Sequence, residues 1–342
     1  MQPSEVPVRH QRWRHRSGVA RLLVGLCLAT GVNATPATAD PTPRSSIEAR
    51  AATEADDEGA RNATLRPRRL IALGVFGATA HYVGYQYFER AWYQGKRRGS
   101  IRWLQDWSGE TYVHVDKGGH FMSGLFMSRS IGQAFEWTGF TPRQAAALGA
   151  LTSWGLLFEV EMRDAYFDQW GFSIPDFVAN TAGVSVPLLH TYIPATRAIG
   201  FKFGWFPSRL YRDYDARLAA NLPRTRYAID DYEGMTFWMT FAIDSALRGE
   251  VQRMWPDWLG IAVGYGATGM HGSNVKSRGR EREYLDRPDA RPEIIISLDA
   301  DARYLPGNGE IWSLFKEQLN WLHLPAPAVR VYPDLRFYLL YL

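Results

Sequence analysis

Cysteine is almost missing from this chain of 342 residues: Cys27 is the only one. It sits in a short apolar run, "VARLLVGLCLATG", ahead of a small-residue site at Ala37-Thr38-Ala39. A basic stretch (Arg9, Arg12, Arg14, Arg16, Arg21) followed by such a run is a secretory signal pattern, and cleavage is expected after Ala39. The mature protein would then hold no cysteine, which excludes disulfides, cysteine-ligated zinc and thiol nucleophiles. Leu26 precedes Cys27, so the small residue of a lipid-attachment site is also lacking.

Net charge is the second absence. The formal charge is +4, but the five arginines of the signal stand beside a single acid, Glu5, and without that segment basic and acidic residues balance. A neutral body lacks the dense cationic surface that nucleic acid requires. Also missing are an HExxH zinc helix, a Walker loop, a G-x-S-x-G elbow and the paired Arg/His signatures of lipid phosphatases. Aromatics, by contrast, are abundant at 14%, with 13 Trp and 17 Tyr, as suits a membrane interface or a β-rich part.

Composition divides the chain into four parts: a signal (1–39), a charged and Pro-containing linker (40–69), a helical segment (70–200) and a β-rich segment (201–342). The helical part opens with "LIALGVFGATAHYVGYQYF" (70–88), which approaches the length of a membrane span. Three further apolar segments follow. The second opens with Thr141, Pro142 and Gln144, a capping box, and the third with "SIPD". Four helices on short connections predict a membrane-associated bundle. Beyond Gly200, alternating aromatic and β-branched stretches between Gly/Asp/Pro/Asn turns predict a small, partly open sheet, with a helix at "EIWSLFKEQLNWL". The fold class is therefore α+β.

Chemistry concentrates in three helical clusters. Asp116 and His120 are four apart and share a face, with Lys117 pointing elsewhere. Glu161, Asp164 and Asp168 fall at i, i+3 and i+7, while Glu159 and Arg163 form an i, i+4 pair. Asp176 and Asn180 are again four apart, on the last apolar helix. Gathered in a bundle, Asp116, His120, Glu161, Asp164, Asp176 and Asn180 make one polar pocket. It could hold a divalent metal through carboxylates and an imidazole, or use His120 as a general base oriented by a carboxylate. The plain alternatives are that Asp176 caps the helix begun by Ser173, that Asp116 and Lys117 are first-turn charges, and that His120 is a satisfied core histidine. Asn180 lies a turn inside an apolar helix and must find partners there. His81, His114 and His190 read as structural or interfacial.

The ordered elements "WLQDW", "DKGGHFMSG", "EMRD", "WGFSIPDFVANTAG" and "WLGIAVGYGATGM" resemble the YfiM-like predicted periplasmic lipoproteins, a family of unknown function, over roughly 70–342. The polar residues of that family fall on Asp116, Lys117, His120, Glu161, Asp164, Ser173, Asp176 and Asn180. A weaker similarity is to VanZ-like membrane proteins, which share the order D-K-x-x-H, Glu, D-x-x-x-N-x-x-G but have several clear spans and no β-rich extension. The expectation is an exported envelope protein acting on an envelope lipid or lipid-linked glycan, with a divalent metal as the cofactor its donors allow. The alternative is a non-catalytic envelope protein that binds a protein partner, with polar residues that only stabilise the helices.

Overall fold

The computed structural model describes residues 64–109, 112–168, 170–222, 224–243, 246–270 and 290–342. The signal and most of the linker lie outside the described residues. The first element, α1 (Pro67–Ala91), contributes no buried residue. Three of the four expected helices pack closely together, α2 (Val115–Trp137), α3 (Pro142–Asp164) and α4 (Ile174–Tyr192), while α1 meets α3 through Glu89–Arg163 and His81–Glu159 and does not complete the expected four-helix core. Among the described residues no helix is long and apolar enough to cross a membrane.

Each boundary has a local cause. Thr141 accepts from the backbone of Gln144 and Gln144 reaches back to Thr141, so the capping box forms and α3 starts there. Ser173 Oγ accepts from the Asp176 N–H at 3.2 Å and starts α4. A two-stranded parallel pair, β1 (Trp103–Leu104) with β2 (Phe172–Ser173), ties the segment before α2 to the start of α4. Close approach of the helices depends on absent side chains. A Cβ at Gly149 of α3 would lie 2.5 Å from Ser128 O of α2, and one at Gly183 of α4 would collide with Phe121 O.

The second half is an antiparallel meander in the order β3-β4-β5-β6-β7-β8. Its strands are β3 (Ile199–Trp205), β4 (Met235–Phe241), β5 (Leu259–Thr268), β6 (Arg291–Ala300), β7 (Ala326–Tyr332) and β8 (Arg336–Tyr341). Short helices α5 (Arg209–Arg212) and α6 (Tyr214–Ala219) follow β3, α7 (Gly249–Met254) precedes β5, and α8 (Glu310–Leu319) precedes β7. Phe203 N donates to Trp321 O at 2.9 Å and His323 N to Phe203 O at 3.0 Å, so residues just after α8 pair with the outer edge of β3.

The two faces of this sheet differ sharply. Register aligns Phe201, Met239, Val263, Ile296, Val329 and Phe337 in one row across all six strands. The opposite face carries Lys202 paired with Asp299 at 2.8 Å, Arg330 paired with Glu293, and Trp238 stacked on His323 at 3.9 Å. The sheet curls around this polar side until Leu342 reaches β3: a Cβ at Gly204 would lie 2.7 Å from the Leu342 carbonyl carbon. On the apolar side, α2 covers β3 to β5. Phe121, Met122 and Leu125 meet Phe201, Phe203 and Phe237, while Val115 meets Met235 and Ala267. The same side remains exposed on β6 and β8, at Ile296 and Leu339 among others.

Candidate functional site

The segment leading into α2 is held in an uncommon backbone state. Val113 has φ 52° and His114 φ 62°, consecutive left-handed residues without a glycine, one of them β-branched. Such states cost about 1–3 kcal/mol each and persist only where surroundings impose them. Here Val113 N donates to Gly109 O at 2.7 Å, Tyr265 OH donates to Val113 O at 2.5 Å, and the His114 ring meets Trp107 O at 2.6 Å. The strained pair aims the first turn of α2 at the start of α4.

Two linked groups result. In the first, Lys117 Nζ contacts Asp106, Asp116 at 2.9 Å and Asp176 at 2.8 Å. The expectation that Lys117 points away from Asp116 is overturned, because its flexible four-carbon stem swings the ammonium back across the helix start. Burial works against the charged ammonium, but Asp116 and Asp176 outweigh it and hold Lys117 above its ordinary range. Asp106 is lowered: burial opposes, and hydrogen bonds from Lys117 and Ser173 overcome it. Asp116 is raised by its burial and by Asp176 nearby.

In the second group, Asn180 Nδ2 donates to Glu161 Oε1 at 3.3 Å, which turns its Oδ1 toward His120 Nδ1 at 3.2 Å. Asn180 Oδ1 can only accept, because the Nδ2 of the same amide is turned to Glu161, so Nδ1 carries a hydrogen; Glu161 Oε1 lies 3.5 Å from the same nitrogen. That leaves Nε2 facing Asp176 Oδ2 at 3.8 Å. Ser173 N donates to the other oxygen of Glu161 at 3.3 Å. Burial pushes Glu161 up to about 8. Burial alone would lower His120, but Asp176, Glu161 and Asp116 together raise it above 6.5. The side chain of Glu161 is 1% exposed and that of His120 25%, so the imidazole is the member that meets solvent.

Five of the six expected residues, Asp116, His120, Glu161, Asp176 and Asn180, thus converge. Asp164 does not: Tyr93 OH donates to its carboxylate at 2.6 Å, on another side of α3. Asp168 lies beyond the helix end and pairs with Arg98 at 2.9 Å. The expected Glu159–Arg163 pair is replaced by Arg163–Glu89 at 2.6 Å and His81–Glu159 at 3.5 Å, because α1 brings its own partners alongside α3. Asp106 escaped the sequence reading. It lies in a loop, so no helical spacing relates it to the others; only "WLQDW", quoted in the family resemblance, marked it.

His120, Glu161 and Asp176 offer ligand atoms within 4.8 Å of one another, a set of one imidazole and two carboxylates that suits a divalent cation. Asp106, Asp116 and Asp176 form a second such set, but the Lys117 ammonium already contacts all three.

The comparisons agree with this region. Residues 103–192 match DUF2279, a predicted periplasmic lipoprotein family. The match runs from β1 to the end of α4 and includes every residue of both groups. It stops before β3, so the likeness read from the sequence as far as the C-terminus is matched only in the helical segment. The family description supports an exported, periplasmic protein of unknown function. No curated protein and no solved structure matches the chain.

Proposed function

We propose that the two groups form an acid–base site acting on an envelope lipid or lipid-linked glycan. One observation carries this reading. Asn180 bridges Glu161 and His120, fixing the hydrogen on Nδ1 and leaving Nε2, which faces Asp176 Oδ2 at 3.8 Å, as the reactive atom. That is how a histidine is prepared to move a proton: a buried carboxyl behind it, an amide setting its tautomer, one nitrogen free. Lys117 fixes Asp176 beside Nε2. A divalent cation held by His120, Glu161 and Asp176 would supply Lewis acidity at the same place. The periplasmic family description favours a substrate from the envelope.

A second reading has its own observation. Both oxygens of Glu161 already accept protein N–H groups, as in a network that only knits α2, α3 and α4 together. His120→Gln and Glu161→Gln separate the two readings. Each is to be measured for thermal midpoint and for rescue of envelope integrity in cells lacking the protein. Loss of rescue with the midpoint within a degree or two supports chemistry; parallel loss of both supports the knitting role and sinks the enzyme.

A further inference from the structure

Packing among the described residues leaves most of helix α1 uncovered. Residues 70–88 contain no Asp, Glu, Lys or Arg, yet none of the 25 residues of the helix is buried. Ile71 is 67% exposed and Val75 64%, with Phe76, Tyr82 and Val83 exposed beside them. A methyl group added at Gly74, Gly77 or Gly84 would meet nothing within 4 Å. In water an apolar helix stays formed mainly through tertiary packing of one face, and here the described contacts reach chiefly the C-terminal part, at Tyr85, Glu89 and neighbours, leaving Ile71 to Phe76 open.

The charges at its ends point to what covers it. Arg66 and Arg68 stand at the N-terminal end and Arg90, Lys96 and Arg97 at or beyond the other, all exposed. The first turn holds no acid, so the arginines there oppose the helix dipole. The only acid between Arg66 and Arg98 is Glu89, already bonded to Arg163 at 2.6 Å. A charge-free apolar body between basic ends complements acyl chains flanked by phosphates. The helix is not long and apolar enough to cross a membrane, so this complementarity belongs to a surface-lying element. We propose that α1 lies in the headgroup region of an anionic phospholipid leaflet, independently of whether the polar site is catalytic.

The test uses the full chain with Cys27→Ser and Val75→Cys, labelled at residue 75 with an environment-sensitive fluorophore. A local probe separates the response of α1 from that of the apolar run around Leu22–Leu28. Vesicles of phosphatidylethanolamine with phosphatidylglycerol should shift the emission to the blue, and phosphatidylcholine vesicles should do so at least tenfold more weakly. Adding Arg66→Glu and Arg68→Glu should weaken the response to the anionic vesicles about tenfold or more, since each basic residue near such a surface contributes on the order of 1 kcal/mol. No shift, or equal affinity for both vesicle types, overturns the proposal. So does a probe already blue-shifted without vesicles: light scattering would then show a second copy seated on α1, or a monomer covered by its own residues 1–63.

Discussion

Lys117 faces carboxylates from a loop, from α2 and from α4, and its ammonium is the cation that lets them approach. Lys117→Met should cost about 3–5 kcal/mol, the range for removing one partner of a buried ionic group. The loss should shrink on acidification as the carboxylates take up protons, which chemical unfolding at two pH values would show. Glu161 acts in the opposite sense. Its pKa rises from 4.5 unfolded to about 8 folded, so between those values the native state keeps a proton that the unfolded state releases. Stability therefore falls as pH rises through that window, by about 1.4 kcal/mol per pH unit at most. His120, also raised, adds to the fall above 6.5. His323 on the polar side of the sheet is pushed down to about 4 by burial, so it makes stability rise between there and 6.5. Between 6.5 and 8 the opposing His323 contribution is gone, and the fall is the sum of Glu161 and His120. Glu161→Gln should flatten the fall of thermal midpoint with pH there; an unchanged slope would show that Glu161 is ionised in the native protein.

Among the elements, α2 and α4 decide whether the site exists, because His120 is on one and Asn180 on the other. Gly183 lets them approach, and a methyl there would press on the Phe121 carbonyl, which is backbone and cannot rotate away. Gly183→Ala should destabilise by about 1–3 kcal/mol, as overpacking does, and part the 3.2 Å contact between His120 and Asn180. The histidine would then titrate lower, a change visible by NMR even where the fold survives. Spacing explains which parts of this were legible beforehand. Asp116 and His120, and Asp176 and Asn180, are helical neighbours, so a period of 3.6 was enough to place each pair on one face. Lys117 was misplaced because Cβ direction does not bind a long side chain, and Asp106 was missed because loops have no period. The pairing of Arg163 with Glu89 spans 74 positions, beyond any local rule. In the sheet, alternation disclosed strands, but alternation alone does not say which face turns inward.

At the scale of the whole molecule that choice is unusual, with ion pairs on the curled side and aliphatic rows outside. Where α2 does not cover the row, Phe337 is 74% and Leu339 84% exposed, on the terminal strand of the meander. Edge strands with exposed apolar side chains template unwanted pairing. Phe337→Lys with Leu339→Lys should raise the highest concentration at which the protein stays monodisperse in detergent-free buffer, with little change in thermal midpoint. A fall in midpoint instead would mean that the outer row carries stability within the monomer.

The partners that close the edge of β3 come from Trp321 to His323, near the end of the chain. Phe203 and Leu322 are separated by roughly 120 residues, and such closures are slow because the chain entropy is lost before the contact returns anything. In a chain threaded unfolded through a translocon from its N-terminus, the helices carrying His120 and Asn180 emerge and can dock while most of the sheet is still inside. The polar site is thus assembled from early-arriving segments, whereas β3 waits with one edge bare until almost the last residues arrive. A chain cut before Trp321 would lack the residues that pair with Phe203 and would carry that strand edge bare into the compartment it enters.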